Sequence, residues 1–261
     1  MSKVIFSLML FILSLNAQHL RVWMNVGYQP FSMPKDGKTA GYEIDLLNEL
    51  AKKLNFTYEI VDTKLESLEH MADSNLADMV VSSINVSEEL KSVVEFSTPY
   101  YKNTSTVFLK RKNDESIKDL NETIKGKIVG AFKNRYQVGL LHKIPDIIVK
   151  ELTVKKGIGA IIELKTAQVD VLALDRTLAN IYTKKGRTVS GYSKNVVGFL
   201  DDLGLNDDIE VFYEDKFDSE GYAIVFGNSM KTELKDGINK AILDMYEDGT
   251  IKKLIKKYRL E

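Results

Sequence analysis

The sequence predicts an α/β protein of two lobes, each a mostly parallel sheet flanked by helices, with two strands joining the lobes. Three observations carry this. Apolar strand-like runs alternate with amphipathic helical segments, and strands linked through helices are parallel by necessity. The alternation occurs twice with different sequence, on either side of the extended, β-rich stretch "YYKNTSTVFLKRK". At 261 residues and 44% apolar content the chain can bury one large core or two modest ones.

Taken in order, the first seventeen residues read as a signal peptide. Lys3 is a short basic region, Val4 to Leu15 an apolar run, and Ala17 a small residue suited to cleavage. That run falls short of the roughly 20 apolar residues needed to span a bilayer. The expectation is export to the periplasm by a cleavable signal. Removing Lys3, with no acid beside it, takes the net charge one unit below −1, and no basic block exists to attract nucleic acid. There is no cysteine, which excludes disulfides, thiolate zinc sites and a lipid-modified cysteine.

"LRVWMNV" then reads as a strand. "GYEIDLLNELAKKLN" places Ile44, Leu47, Ala51 and Leu54 on one helical face, with Asn55 as C-cap. "FTYEIV" is the next strand, "KLESLEHMA" a helix opened by Thr63, and "DMVVS" a third strand. The second half repeats the rhythm. "KIVGAF", "IIVKEL" and "VDVLALD" are strands, with helices in "NRYQVGLLHK", "KKGIGAIIELKTAQ" and "RTLANIYTKK". A return crossing falls near "FYEDKFDSEGYAIVFG", before two closing helices, "SMKTELKDGINKAILDMYEDGT" and "IKKLIKKYRL". "GFLDDLGLNDD" is a surface loop whose spacing does not match a calcium-binding loop.

Several residues stand at the carboxyl ends of strands, where α/β proteins hold ligands. Asp175 ends the apolar run "VDVLAL" and suits either an ammonium or the cap of the following helix. Ser82, Ser83 and Asn85 follow the apolar Met79–Val81. Tyr28 and Tyr42 each follow a glycine, which keeps the backbone uncrowded beside a ring facing a ligand; ordinary packing is the alternative. Glu43 reads as a solvated residue of a helix's first turn. His19, His70 and His142 are far apart and form no metal-ligand or catalytic pattern.

In this order and spacing, "LRVWMNVGYQPFS", "GYEIDLLNELAKKL", "VVEFSTPYY", "VDVLALDRTLANIY" and "GYAIVF" with "INKAILDMYEDGTIKKLIKKY" resemble the periplasmic polar-amino-acid-binding proteins, the type II solute receptors (family 3) of ABC importers. The resemblance implies a two-lobe type II periplasmic-binding-protein fold that closes by hinge motion over an amino acid or related amine. It implies lobe 1 over 18–106 and 218–261, lobe 2 over 107–217, and the joining strands near Tyr101–Val107 and Phe212–Phe217. It assigns Tyr28 and Tyr42 to a sandwich around the solute, Ser82, Ser83 and Asn85 to its hydrogen bonds, and Asp175 to its α-ammonium. The expected partner is an ABC permease in the inner membrane, with a monomeric protein, no cofactor and no enzymatic activity. Two alternatives share the fold: a sensor that reports occupancy to a membrane receptor, and an enzyme resembling a cyclohexadienyl dehydratase, for which Glu43 or Asp175 would be the general acid.

The chain departs from that family where an arginine should grip the solute's α-carboxylate. Leu90 stands there, and the neighbouring Lys91 cannot supply the planar fork. The small-residue loop after the first strand of lobe 2 is also replaced, by "AFKNRYQVG". Either the solute lacks that carboxylate, as an amine held by cation–π contact would, or Phe132 and Arg135 join the expected ligand-binding set, with Arg135, at a helix N-terminus, taking the anion from the opposite lobe rather than standing solvated at the surface.

Overall fold

The computed structural model describes residues 18–63, 68–102, 104–133, 135–153, 158–183, 208–215 and 220–260. The expected signal segment, most of the loop "GFLDDLGLNDD", Asn134 and the end of the second expected joining strand lie outside them.

The first sheet has the order β4 (Phe56–Asp62), β1 (Gln18–Met24), β5 (Met79–Asn85), β12 (Tyr222–Phe226), β6 (Glu95–Phe96). The second has the order β11 (Ile209–Asp215), β7 (Thr106–Arg111), β10 (Val171–Asp175), β8 (Ile128–Phe132), β9 (Ile148–Leu152). Strands connected through helices are parallel, as β1 with β4 and β5, and β8 with β9 and β10. Strands that begin or end at a crossing are antiparallel: β12 against β5 and β6, β7 against β10 and β11. Four of the five strands of each sheet thus run in one direction, as expected of a mostly parallel sheet, and the exceptions are β12 and β7, because a strand entering from the other lobe needs no crossover helix. A short hairpin, β2 (Met33–Lys35) with β3 (Lys38–Ala40), precedes the first helix.

Helix α1 (Tyr42–Leu54) ends as expected at Asn55, which is left-handed and donates its N–H to the Ala51 carbonyl. Its start needs a glycine: Gly41 has φ 138°, and a Cβ there would meet the Phe31 carbonyl oxygen at 2.2 Å. The fully buried stripe of α1 is Tyr42, Glu43, Leu46, Leu47 and Leu50, while Ile44, Ala51 and Leu54 are half-buried at its margin. The stripe is rotated from the expected face because α1 is covered by the sheet and by the two closing helices, α7 (Thr232–Glu247) and α8 (Thr250–Tyr258). Ile238, Ile242, Met245, Ile251 and Leu254 join Leu46, Leu47 and Leu50 in one core. Each such aliphatic side chain contributes about 1.5–3 kcal/mol.

The opposite face of the first sheet is covered by α2 (Leu68–Asp73) and the short α3 (Glu88–Lys91). The second sheet is likewise covered on both faces, by α4 (Tyr136–Leu141), α5 (Ile158–Lys165) and α6 (Arg176–Thr183) among others, giving two separate apolar clusters. Tyr222 pairs antiparallel with Tyr101, donating its N–H to the Tyr101 carbonyl at 2.7 Å. Gly221 allows the approach, since a Cβ there would sit 2.1 Å from the same oxygen. Phe212 to Asp215 belong to β11 of the second sheet, so the return crossing lies between Asp215 and Tyr222. Among the described residues no helix is long and apolar enough to cross a membrane.

Candidate functional site

Strand β5 begins as a buried apolar run and ends as a bulge. Three of its residues, Val81 to Ser83, face the single residue Ile224 of β12. Ser83 takes a left-handed conformation with φ 50°, which for a residue other than glycine costs on the order of 1–3 kcal/mol. Glu43 compensates from the first turn of α1. Its Oε1 accepts hydrogen bonds from the Ser83 N–H at 2.5 Å, the Ser83 hydroxyl at 2.9 Å and the Tyr100 hydroxyl at 2.5 Å. Its Oε2 is buried without a hydrogen-bond partner among the described residues. Glu43 is therefore not the solvated residue expected: it is fully buried, because α1 turns its first residues toward the sheet. Burial pushes its carboxyl above the ordinary range, opposed by the bonds from Tyr100 and Ser83 and by the charge of Arg135.

The twisted strand end aims two carbonyls at the other lobe. Arg135 Nη1 donates to the Ser82 and Ser83 carbonyl oxygens, both at 3.1 Å. The guanidinium lies over the Tyr28 ring with Cζ 4.3 Å from the centroid, a cation–π contact. Arg135 Nε and Nη2 make no hydrogen bond among the described residues, so one edge of the fork is uncommitted.

Tyr28 sits in the turn after β1 and packs against the cores of both lobes. Its hydroxyl donates to Asp175 Oδ2. Burial, then the adjacent Asp175 carboxylate, pushes the phenol well up, so the neutral hydroxyl is the donor. Asp175 closes β10, buried, and its Oδ1 accepts from Gln137 Nε2 at 2.9 Å. Asn85 ends β5 opposite Tyr222.

The structure thus brings Tyr28, Ser82, Ser83, Arg135 and Asp175 together. It does not bring Tyr42 to them. The Tyr42 ring is fully buried against Tyr100, Tyr101 and Tyr258, and its hydroxyl donates to the Tyr100 carbonyl at 2.7 Å. Phe31 stands between the two expected sandwich rings, 6.0 Å from Tyr28 and 5.6 Å from Tyr42. Phe132, at the end of β8, packs half-buried against the core of the second lobe. Leu90 packs, partly buried, against the apolar cluster that Met71, Ala72, Val80, Ile84, Val94 and Val225 form, and Lys91 pairs with Glu88 and Glu220.

Gln137 escaped the sequence reading although it left a signal. It is a polar residue on the buried face of α4, beside Leu140 and Leu141. Glu43 left none, since an acid in a first turn is ordinary. No group of three or more His, Cys, Asp or Glu side chains among the described residues is arranged to hold a metal.

These contacts set the uncommitted edge of Arg135, which the Ser82 and Ser83 carbonyls and the Tyr28 ring hold in place, in one site with the Asp175 carboxylate, two opposite charges that match those of a zwitterion. The chain is 28% identical over 245 residues to a probable histidine-binding protein of Campylobacter jejuni, covering 93% of this chain and 85% of that protein. It is 28% identical over 242 residues to the L-cystine-binding protein TcyJ of Escherichia coli, covering 92% and 82%. Among solved structures, an ancestral arginine-binding protein bound to arginine matches with a TM-score of 0.73 and 27% identity, over 92% of this chain and 97% of that one. The model of the bacterial extracellular solute-binding proteins, family 3, matches residues 20–261, and the chain, with its type II periplasmic-binding-protein fold, belongs to that family.

Proposed function

We propose that the protein captures an amino acid between its lobes in the periplasm, after removal of residues 1–17, and delivers it as a monomer to an ABC permease. One observation carries the reading. Tyr28 and the Ser82 and Ser83 carbonyls from one lobe meet Arg135 and Asp175 from the other. Asp175 receives the α-ammonium by a charge-assisted bond, and the uncommitted edge of Arg135 receives the α-carboxylate with the planar geometry that Lys91 lacks. The lobes hinge about the crossings, 18–106 and 218–261 moving against 107–217. Names of the relatives point to amino acids with polar or cationic side chains as solutes.

Isothermal titration calorimetry with the twenty common L-amino acids and with putrescine, a simple diamine, tests this. The expected result is saturable 1:1 binding of at least one amino acid, and weaker or no binding of putrescine. Binding of putrescine alone, or no binding across the panel, would refute it.

A further inference from the structure

Glu43 is a buried acid that the capture of a solute does not itself use, with one oxygen holding Ser83 and Tyr100 and the other making no hydrogen bond among the described residues. Ser83 is a non-glycine residue in the left-handed region, and it is its carbonyl, with that of Ser82, that anchors Arg135. Nothing in a serine favours that conformation; the bond from its N–H to Glu43 does.

We propose that Glu43 is a positioning residue: it holds Ser83 left-handed, which aims the two carbonyls at Arg135 and fixes the guanidinium with one edge turned to the solute. The proposal rests on the amino-acid reading of the site for its purpose, though its physical content concerns the protein without solute. The chain of contact is Glu43 to Ser83, Ser83 to Arg135, and Arg135 to the anion. It joins α1 of one lobe to the loop before α4 of the other.

The titratable or charged groups set against Glu43 are Tyr100, Tyr42 and Arg135. Both tyrosines are pushed above their ordinary range by burial, so as pH rises from acid Glu43 is the first of these acids to lose its proton. The positive Arg135 favours its ionised form, and by reciprocity the ionised form strengthens the hold on Arg135.

Nuclear magnetic resonance of the ligand-free, ¹⁵N-labelled protein tests this without any solute. The Ser83 amide and the Arg135 Nε–H signals are expected to shift together on acidification with one midpoint, that of Glu43. In Glu43→Gln, which keeps the shape, both shifts are lost. In Glu43→Ala the Arg135 Nε–H signal is expected to broaden or vanish, and Ser83→Gly added to that variant restores it, because glycine takes φ near 50° unaided. Independent titration of the two signals in the wild type, or persistence of the shifts in Glu43→Gln, would overturn the proposal, as would failure of Ser83→Gly to restore Arg135. A negative calorimetric panel would sink the transport reading and leave these outcomes to decide the positioning role alone.

Discussion

Arg135 lies 4.3 Å above the Tyr28 ring, from the opposite lobe, and hangs from the carbonyls of Ser82 and Ser83. A loop residue of one lobe thereby completes a surface built by the other. Removing it leaves the solute's carboxylate without a cation in a part-buried site. Arg135→Ala is expected to cost about 2–5 kcal/mol in affinity for an amino acid, read by calorimetry. Arg135→Lys should recover little, because an ammonium cannot bond two carbonyls and a carboxylate in one plane. Leu90→Arg should not compensate. It places a charge against the apolar cluster that includes Val80, Ile84 and Val225, and is expected to lower stability by about 0.5–3 kcal/mol in urea unfolding. Unchanged affinity in Arg135→Ala would return that residue to the solvent.

Asp175, the second anchor that the proposal names, is held by Tyr28 and Gln137 with one bond to each oxygen. Asp175→Asn keeps the shape and removes the charge. Affinity for an amino acid is expected to fall by about 1.5–3 kcal/mol, the range of a charged hydrogen bond, with little change in melting temperature. Equal affinity in the two proteins would leave Asp175 as a bond acceptor for Tyr28 and a start to α6.

Tyr42 separates packing from binding. Its hydroxyl bonds a backbone carbonyl inside the core, so Tyr42→Phe is expected to lower stability by about 0.5–1.5 kcal/mol and leave affinity unchanged. A variant that lost affinity at full stability would put the ring back in the solute's slot.

Glu43 makes stability depend on pH in a definite direction. Its pKa in the folded protein is raised by burial, so the unfolded chain releases the proton at lower pH. The stability it contributes is full at acid pH and is lost as pH rises through its raised pKa. Glu43→Gln cannot titrate, and whatever constant offset its amide brings is the same at every pH. The stability of the variant relative to the wild type should therefore climb as pH rises, in urea unfolding followed across the acid to neutral range. A gap that stays flat or narrows would show that Glu43 is ionised as easily folded as unfolded.

Much of the fold was legible because burial leaves a periodic trace. Strands such as "VLALD" and "YAIVF", buried on both faces, read as unbroken apolar runs, and Asn55 announced the end of α1. The antiparallel pairing of β7 and β12 was not legible, because strand direction depends on which lobe the chain leaves, and local pattern carries no record of that. Of the proposed site, Asp175 and Ser82–Ser83 drew notice by their place at strand ends, and Arg135 because Leu90 stands where the resemblance calls for an arginine. Tyr42 misled because a glycine–tyrosine pair before a helix looks the same whether the ring faces a ligand or a core. Glu43 was hidden for the complementary reason. Its burial is fixed by Ser83 and Tyr100, 40 and 57 residues along the chain, which no local pattern around Glu43 records.

The central claim is that an amino acid is held between the lobes by Asp175 and Arg135 together. A crystal structure of the protein with the amino acid that calorimetry selects tests it most directly. The expected density lies against the Tyr28 ring, with the ammonium within hydrogen-bond distance of an Asp175 carboxylate oxygen and the carboxylate on the Nε and Nη2 edge of Arg135. A solute bound in one lobe alone, or bound between the lobes with its carboxylate on another cation, would contradict it.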